Sequence, residues 1–281
     1  MKISITQKQL KSLMEENEKY SNLENIRGYT FDWDDNILFM PTKIKLLYND
    51  NEIVYVSTED FAELRQNPDY ELLKDSFKDF QDPIKFNEDI KSALRDKKYG
   101  PSFDKFKESL LYANPFAIIT ARSASPNTIK DGVRTFIGEV FTEDELEMML
   151  DNIKRNYKEI ALSQEDPMKI IDLYLDSNEY HPVSSDEFKK RFGLEALADS
   201  PEIGKKIALS DYIEKIVNNA KYLVDKKYRR LSIGFSDDDK ENIEAIKDLI
   251  KDDLLDLYPE INFVIYDTSE GNKNKLIIKK E

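Results

Sequence analysis

Residues 28–40 read Gly28-Tyr-Thr-Phe-Asp-Trp-Asp-Asp-Asn-Ile-Leu-Phe-Met40 and place two carboxylates, Asp32 and Asp34, directly after an apolar run typical of a strand. Side chains two residues apart start on the same side of a strand. Ligands of α/β sheets bind outside the carboxyl ends of the strands, so this position favours a functional site. An Asp-rich turn that caps a helix is the other interpretation of these residues.

Two later apolar runs also end in polar side chains. Residues 115–120 end at Thr120, and residues 231–238 end at Asp237 and Asp238. Runs of this kind alternate with helical patterns, which predicts an α/β fold with a mostly parallel, Rossmann-like sheet flanked by helices. Because the carboxyl ends of parallel strands lie at one edge of a sheet, we expect all three acidic or hydroxyl ends to meet there.

The composition narrows the class of protein. The 281 residues are enough for one large α/β domain or for a core with an inserted lobe. The net charge of -14 argues against extended nucleic-acid binding but allows a small phosphorylated substrate held by a local cation. The absence of cysteine excludes disulfides and thiolate metal sites.

No apolar run can span a bilayer, and residues 1–10 lack the apolar core of a signal peptide. We therefore expect a cytoplasmic protein without membrane contact. The oligomeric state is left open.

The pattern along the chain predicts the domain organisation. Residues 6–20 are typical of an amphipathic helix, and the β-rich runs around Asn49-Asp50-Asn51 indicate a hairpin. A hairpin directly after the acidic loop, the segment Asp32-Trp-Asp-Asp35, would lie over the site as a flap. We therefore predict an N-terminal helical extension (1–24), a core (25–58 and 111–281) with a flap hairpin (43–57), and an inserted, mainly helical cap (59–110).

The three strand ends at Asp32, Thr120 and Asp237 together resemble the motifs of the haloacid dehalogenase-like (HAD) superfamily of phosphatases. The resemblance spans about residues 26 to 250 in the family's order. Asn36 departs from the first motif, where the family has Thr or Val. The matching segments are Phe31-Asp32-Trp33-Asp34-Asp35-Asn36-Ile37, Ala117-Ile-Ile-Thr120 and Ile233-Gly-Phe-Ser-Asp237-Asp238 with Asn242.

The family's remaining motif is a lysine near the start of a helix, and here several lysines compete. Pro201-Glu-Ile-Gly-Lys205-Lys206 fits the pattern, and we favour Lys206 slightly over Lys205. Lys221, Lys226 and Lys227 are further candidates for this motif. For each of these lysines the alternative interpretation is a basic turn exposed to solvent.

The resemblance implies a mechanism with named residues. Asp32 would attack phosphorus and form an aspartyl-phosphate, and Asp34 would act as general acid and base. Lys206 and Thr120 would stabilise charge in the transition state. The resemblance also implies Mg²⁺, held by the Asp32 carboxylate, the Asp34 backbone carbonyl, Asp237 and Asp238, the last as a ligand or as a partner of the ligands.

Four residues are predicted to contact the substrate. Thr120 and the adjacent backbone N–H of Ala121 would hold phosphoryl oxygens. Arg122 would bind an anionic substrate or pair with a surface acid, and Trp33 would stack on a substrate or pack in the core. His181 is the sole histidine, and without an evident partner it is interpreted as structural.

Together these observations predict a Mg²⁺-dependent phosphomonoesterase. Its substrate is open, and a sugar phosphate, a nucleotide or a terminal phosphate on a nucleic acid are the candidates. A non-catalytic binding or assembly protein that keeps the fold is the main alternative. A phosphotransferase that uses the same aspartyl-phosphate is the third.

Overall fold

The computed structural model describes residues 25–49, 51–157, 160, 163–194, 200–223, 230–271 and 274–278. The predicted N-terminal extension lies outside these ranges. So do the further candidates Lys226 and Lys227 and the side chain of Lys221.

Nine strands form two sheets in the described part of the chain. The strands are β1 (Asn25–Phe31), β2 (Ile44–Tyr48), β3 (Glu52–Val56), β4 (Tyr70–Leu72), β5 (Phe116–Thr120), β6 (Glu179–Pro182), β7 (Arg230–Asp237), β8 (Ile261–Asp267) and β9 (Asn274–Ile278). The large sheet has the order β6-β5-β1-β7-β8-β9, and only β9 is antiparallel to its neighbour. The predicted mostly parallel α/β sheet is therefore confirmed. Strand β9 pairs with β8 and forms that edge of the sheet.

Helices connect and cover the strands. They are α1 (Thr58–Leu64), α2 (Pro83–Arg95), α3 (Phe103–Leu111), α4 (Pro126–Val140), α5 (Glu143–Asn156), α6 (Pro167–Asp176), α7 (Asp186–Phe192), α8 (Pro201–Leu223), α9 (Lys240–Leu249) and α10 (Leu255–Leu257). A capping box begins α5, because the side chains of Thr142 and Glu145 accept hydrogen bonds from each other's backbone N–H. No helix within the described ranges is long and apolar enough to cross a membrane.

The strand register places the first motif at the centre of the sheet edge. Phe31, the last residue of β1, lies opposite Ile118 of β5 and Ser236 of β7. The next backbone N–H, that of Asp32, donates to the Ser236 carbonyl at 2.9 Å. Asp32 thus follows the central strand, with the Thr120 end on one side and the Asp237 end on the other.

Buried apolar side chains cover both faces of the sheet. One cluster contains Phe31, Trp33, Phe106 and Phe116, which pack with α2 to α6. The other contains side chains of β7 and β8 together with those of α8 and α9. Strands that are apolar on both faces are the expected sequence pattern of a parallel sheet between helices.

The segment after the acidic loop divides into two parts. Strands β2, β3 and β4 form a small antiparallel sheet with its own apolar cluster, which includes Ile44, Leu46 and Phe80. The predicted hairpin is confirmed, whereas its role as a flap stays a prediction. The predicted cap, residues 59–110, stays a prediction, and it contains two helices that pack into the main core. Helices α2 and α3 place Phe86 and Phe106 in the main core, because their apolar faces complete the layer next to Trp33.

Candidate active site

Three carboxylates meet at the carboxyl edge of the sheet. Oxygens of Asp32, Asp237 and Asp238 all lie within 4.8 Å of one another. Asp32 and Asp237 are buried, and Oδ1 of Asp32 has no hydrogen-bond partner among the described residues. Hard carboxylate oxygens are the ligands that Mg²⁺ and Ca²⁺ prefer. The cluster can therefore hold a metal ion, and the unpartnered oxygen of Asp32 leaves a ligand position for it.

Lys205 supplies a buried positive charge to this cluster. Its Nζ lies 2.6 Å from Oδ2 of Asp237 and 3.4 Å from Oδ2 of Asp32. The structure places Lys205 at the cluster rather than the favoured Lys206, because successive residues of α8 are rotated by about 100° and Lys205 occupies the buried face. Lys206 is only partly buried. One lysine against three carboxylates leaves the cluster with excess negative charge, which favours a bound cation.

Burial and mutual repulsion perturb the ionisation of the cluster. Burial raises the pKa of Asp32 to about 8; Lys205 opposes the rise, and Asp237 and Asp34 add to it. Burial likewise raises the pKa of Asp238 above its ordinary range. Burial acts to lower the pKa of Lys205, but the carboxylates of Asp237 and Asp32 outweigh burial and raise it. Without a bound metal ion, a proton on Asp32 therefore relieves part of the repulsion.

The Asp237 carboxylate is held in position by its neighbours. Nδ2 of Asn242 and the backbone N–H of Asp239 donate to its Oδ1 at 3.0 and 3.1 Å. Asp239 is the N-cap of α9 and accepts a hydrogen bond from the Glu241 N–H at 2.7 Å. The acidic run Asp237-Asp238-Asp239 at the end of β7 therefore has two roles: its first two residues belong to the cluster, and its third residue caps the next helix.

Asn36 fastens the acidic loop to the sheet. Its side-chain Nδ2 donates to the carbonyls of Asp32 and Ser236 at 3.1 and 3.2 Å. Its Oδ1 accepts from the hydroxyls of Ser236 and Thr268 at 3.1 and 3.0 Å. A fully buried amide with these contacts explains why the loop tolerates Asn at this position. Asn36 therefore holds the loop after β1 against the end of β7 and the segment after β8.

Asp34 lies in a different environment from the cluster. Arg122 donates from Nε and Nη2 to the two carboxylate oxygens of Asp34, both at 2.8 Å. The backbone carbonyl of Asp34, the predicted metal ligand, accepts from the Asn36 N–H at 2.6 Å. Both side-chain oxygens of the predicted general acid are therefore engaged by a guanidinium.

Arg122 is itself buried and is held by further contacts. Its Nη2 donates to Oγ1 of Thr42 at 2.9 Å, and that hydroxyl donates to Oδ2 of Asp89 at 2.7 Å. The guanidinium carbon lies 4.5 and 4.8 Å from the ring centroids of Phe86 and Phe80. The structure excludes the surface ion pair for Arg122, since it is only 2% exposed. Its guanidinium faces a carboxylate, so it binds a substrate only after rearrangement.

The other predicted substrate contacts differ in exposure. Trp33 is fully buried and packs edge-to-face against Phe86 and Phe106, so it cannot stack on a substrate in this arrangement. Thr120 is buried at its strand end, and its Oγ1 accepts from the Arg122 N–H at 3.3 Å. Ala121 is exposed.

Two contributors had no clear signal in the sequence. Thr42 and Asp89 connect Arg122 to α2, yet neither belongs to a motif. Asp89 is one of two adjacent acids on the amphipathic helix α2, and only its burial in the fold distinguishes it from the exposed Glu88.

Comparisons of the chain with protein-family models, with curated proteins and with solved structures found no match.

Proposed function

We propose that the protein is a Mg²⁺-dependent phosphomonoesterase in which Asp32 is the nucleophile. One observation carries the proposal. Asp32 follows the central strand, its Oδ1 lacks a hydrogen-bond partner in the described chain, and it is adjacent to two further carboxylates and a buried lysine. The order of the motifs along the chain, which resembles the HAD superfamily, supports the same assignment.

The reaction would take place in two steps. A carboxylate oxygen of Asp32 forms a bond to phosphorus, and the bond to the ester oxygen breaks. Water then attacks phosphorus and gives a proton to Asp34, the bond between phosphorus and the Asp32 oxygen breaks, and phosphate leaves with the Asp32 carboxylate restored. Mg²⁺, held by Asp32, Asp237 and Asp238, would neutralise charge on the phosphoryl oxygens. Lys205 keeps Asp32 and Asp237 at fixed positions and offsets part of their charge.

The proposal makes a specific demand on Asp34. As a general acid it must carry a proton, and both of its oxygens now accept hydrogen bonds from Arg122. The pair must therefore open in the substrate complex and release one oxygen. Thr42 and the two aromatic rings remain as partners for the guanidinium when it does so.

A non-catalytic binding protein is the alternative, and the same pair favours it. If Arg122 keeps both oxygens of Asp34 engaged, the leaving oxygen lacks its proton donor. A phosphotransferase would share the first step and differ only in the acceptor. Substrate choice is assigned to the small sheet formed by β2 to β4, which follows the acidic loop.

The test is a hydrolysis assay on an aryl phosphate and on a panel of sugar phosphates and nucleotides. We expect Mg²⁺-dependent phosphate release that is abolished by EDTA and by Asp32→Asn. Asp176→Asn is the matched control, since Asp176 is an exposed acid at the end of α6, and this variant should keep full activity. Activity that survives EDTA or Asp32→Asn would overturn the mechanism. Inactivity of the folded chain on the whole panel would favour the binding protein.

A further inference from the structure

A second group of potential metal ligands lies away from the acidic loop. Glu179 and His181 belong to β6, and Asp211 belongs to α8. One ligand atom from each lies within 4.8 Å of the other two. Lys205, which marks the first cluster, precedes Asp211 by six residues, or about 9 Å along the helix axis. The group is therefore separate from the candidate active site, and a role for it does not depend on the proposed function.

The imidazole of His181 provides the second observation. The side chain is only 1% exposed, and neither ring nitrogen has a hydrogen-bond partner in the part of the chain that the structure describes. Its Nε2 lies 3.7 Å from Oε2 of Glu179 and 3.7 Å from Oδ2 of Asp211. A buried polar group without a partner is costly and calls for an explanation. A cation between Nε2 and the two carboxylate oxygens would give Nε2 a partner.

The spacing suits a small divalent metal ion. Zn²⁺ binds imidazole nitrogen and carboxylate oxygen at about 2.0–2.1 Å, which puts tetrahedral ligands about 3.4 Å apart. The two observed distances from Nε2 exceed this value by a few tenths of an ångström. A movement of a few tenths of an ångström in these side chains would close that difference. One nitrogen and two carboxylates form a three-ligand set, and water would complete the fourth position.

A cation already bridges the two carboxylates. Nζ of Lys215 lies 2.6 Å from Oε2 of Glu179 and 3.1 Å from Oδ2 of Asp211. Nη2 of Arg191 also contacts Asp211, at 3.1 Å. Lys215 is about one-third exposed, so its flexible stem can turn outward without backbone movement. The ammonium shows that positive charge is favoured here, and it competes with a metal ion for the same oxygens.

We propose that Glu179, His181 and Asp211 form a binding site for a divalent transition metal ion of the Zn²⁺ class. The ion would link the edge strand β6 to α8, two elements that these side chains already bring together. Because β6 is the last strand at this side of the sheet, the link would stabilise the edge. The role assigned is structural, with Lys215 as an internal competitor.

The sole histidine makes the test direct. In tag-free protein labelled with ¹⁵N at histidine, every imidazole signal comes from His181. We expect ZnCl₂ to shift the ¹⁵N resonance of one ring nitrogen strongly and EDTA to reverse the shift. Zn²⁺ bound at the first cluster leaves this signal unaffected. An imidazole signal that stays unchanged at saturating ZnCl₂ in wild type and in Lys215→Met would overturn the proposal.

Two kinds of variant separate this site from incidental binding. Lys215→Met should bind Zn²⁺ about three- to tenfold more tightly, because the competing ammonium is gone. Glu179→Gln and Asp211→Asn should each weaken binding by at least about tenfold. A Zn²⁺-induced shift of equal midpoint in both amide variants and in the wild type would mean that His181 binds the ion alone, which contradicts the three-ligand site. The imidazole spectrum without metal reports whether each variant is folded.

Discussion

Arg122 contacts both carboxylate oxygens of Asp34, from Nε and Nη2, at 2.8 Å each. The two residues are 88 positions apart in the chain, and the contact joins the loop after β1 to the segment after β5. It fastens the acid of the first motif to the turn that follows Thr120. A bidentate, buried pair of this kind is sensitive to the loss of either partner.

Removal of the guanidinium should destabilise the fold. Arg122→Met leaves Asp34 and Thr42 without their donor, and we expect a loss of about 2–4 kcal/mol in the free energy of unfolding. Arg65→Met is the matched control, since its pair with Glu241 is exposed, and it should cost less than about 1 kcal/mol. Urea denaturation measures both. Equal losses would show that the Arg122 pair adds no special stability.

The two adjacent lysines of α8 give a test of the site geometry. Lys205→Met removes the ammonium that contacts Asp32 and Asp237, and we expect at least a hundredfold loss of phosphatase activity on the best substrate. Lys206→Met changes a neighbouring side chain of the same kind and should retain activity within about threefold. A larger loss in Lys206→Met than in Lys205→Met would contradict the assignment. Circular dichroism verifies that both variants are folded.

The raised pKa of Asp32 predicts how metal binding depends on pH. Its pKa of about 8 in the fold lies above the ordinary 3.8, so the metal-free fold binds a proton that the unfolded chain has already lost. That contribution to stability is full below about pH 4 and is lost as the pH rises through about 8. Above about pH 8 a divalent cation binds to Asp32 at less cost in free energy, because no proton has to be displaced first.

We therefore expect the increase in melting temperature caused by saturating MgCl₂, relative to EDTA, to be larger at about pH 8.5 than at about pH 6. Scanning calorimetry at both pH values measures this difference. In Asp32→Asn this pH dependence should be smaller than in the wild type, and the remainder is expected from Asp238, whose pKa burial also raises. An equal increase at both pH values in the wild type would show that Asp32 does not exchange its proton for the metal ion.

Replacement by alanine should have opposite effects on stability at two glycines, Gly100 and Gly138. A Cβ at Gly100 would lie 2.5 Å from the backbone oxygen of Asn36, where the chain passes closely behind the acidic loop. Gly100→Ala should therefore destabilise the fold by more than about 2 kcal/mol. Gly138 lies in α4 with open space around its missing Cβ, so Gly138→Ala should stabilise by about 0.5–1 kcal/mol. Thermal denaturation measures the change in melting temperature of both variants. A change of the same sign in the two variants would contradict this explanation.

Much of the fold follows from short-range pattern in the sequence. Buried parallel strands are apolar throughout, and their ends are marked by Asp32, Thr120 and Asp237. The mostly parallel sheet and the meeting of these ends at one edge could be predicted for that reason. The hairpin around Asn49 carried an equally local signal.

The rest depended on contacts between distant segments. Lys205 and Lys206 are equivalent in the sequence, and only the rotation of α8 against the sheet selects between them. The partners of Arg122 come from segments 80 and 88 residues away, which no local pattern reveals. The role of Asn36 could not be predicted either, because its partners Ser236 and Thr268 lie 200 and 232 residues away in the chain.

We propose that Asp32 is the phosphoryl acceptor within a metal-binding cluster. Beryllofluoride, which mimics a phosphoryl group on aspartate, tests this role without a known substrate. Fluorine-19 NMR of the purified chain should show one equivalent bound in the presence of Mg²⁺. The signal should be absent with EDTA and in Asp32→Asn, and unchanged in Asp176→Asn. Absence of binding in the folded wild type with Mg²⁺, or binding that persists in Asp32→Asn, would contradict the account.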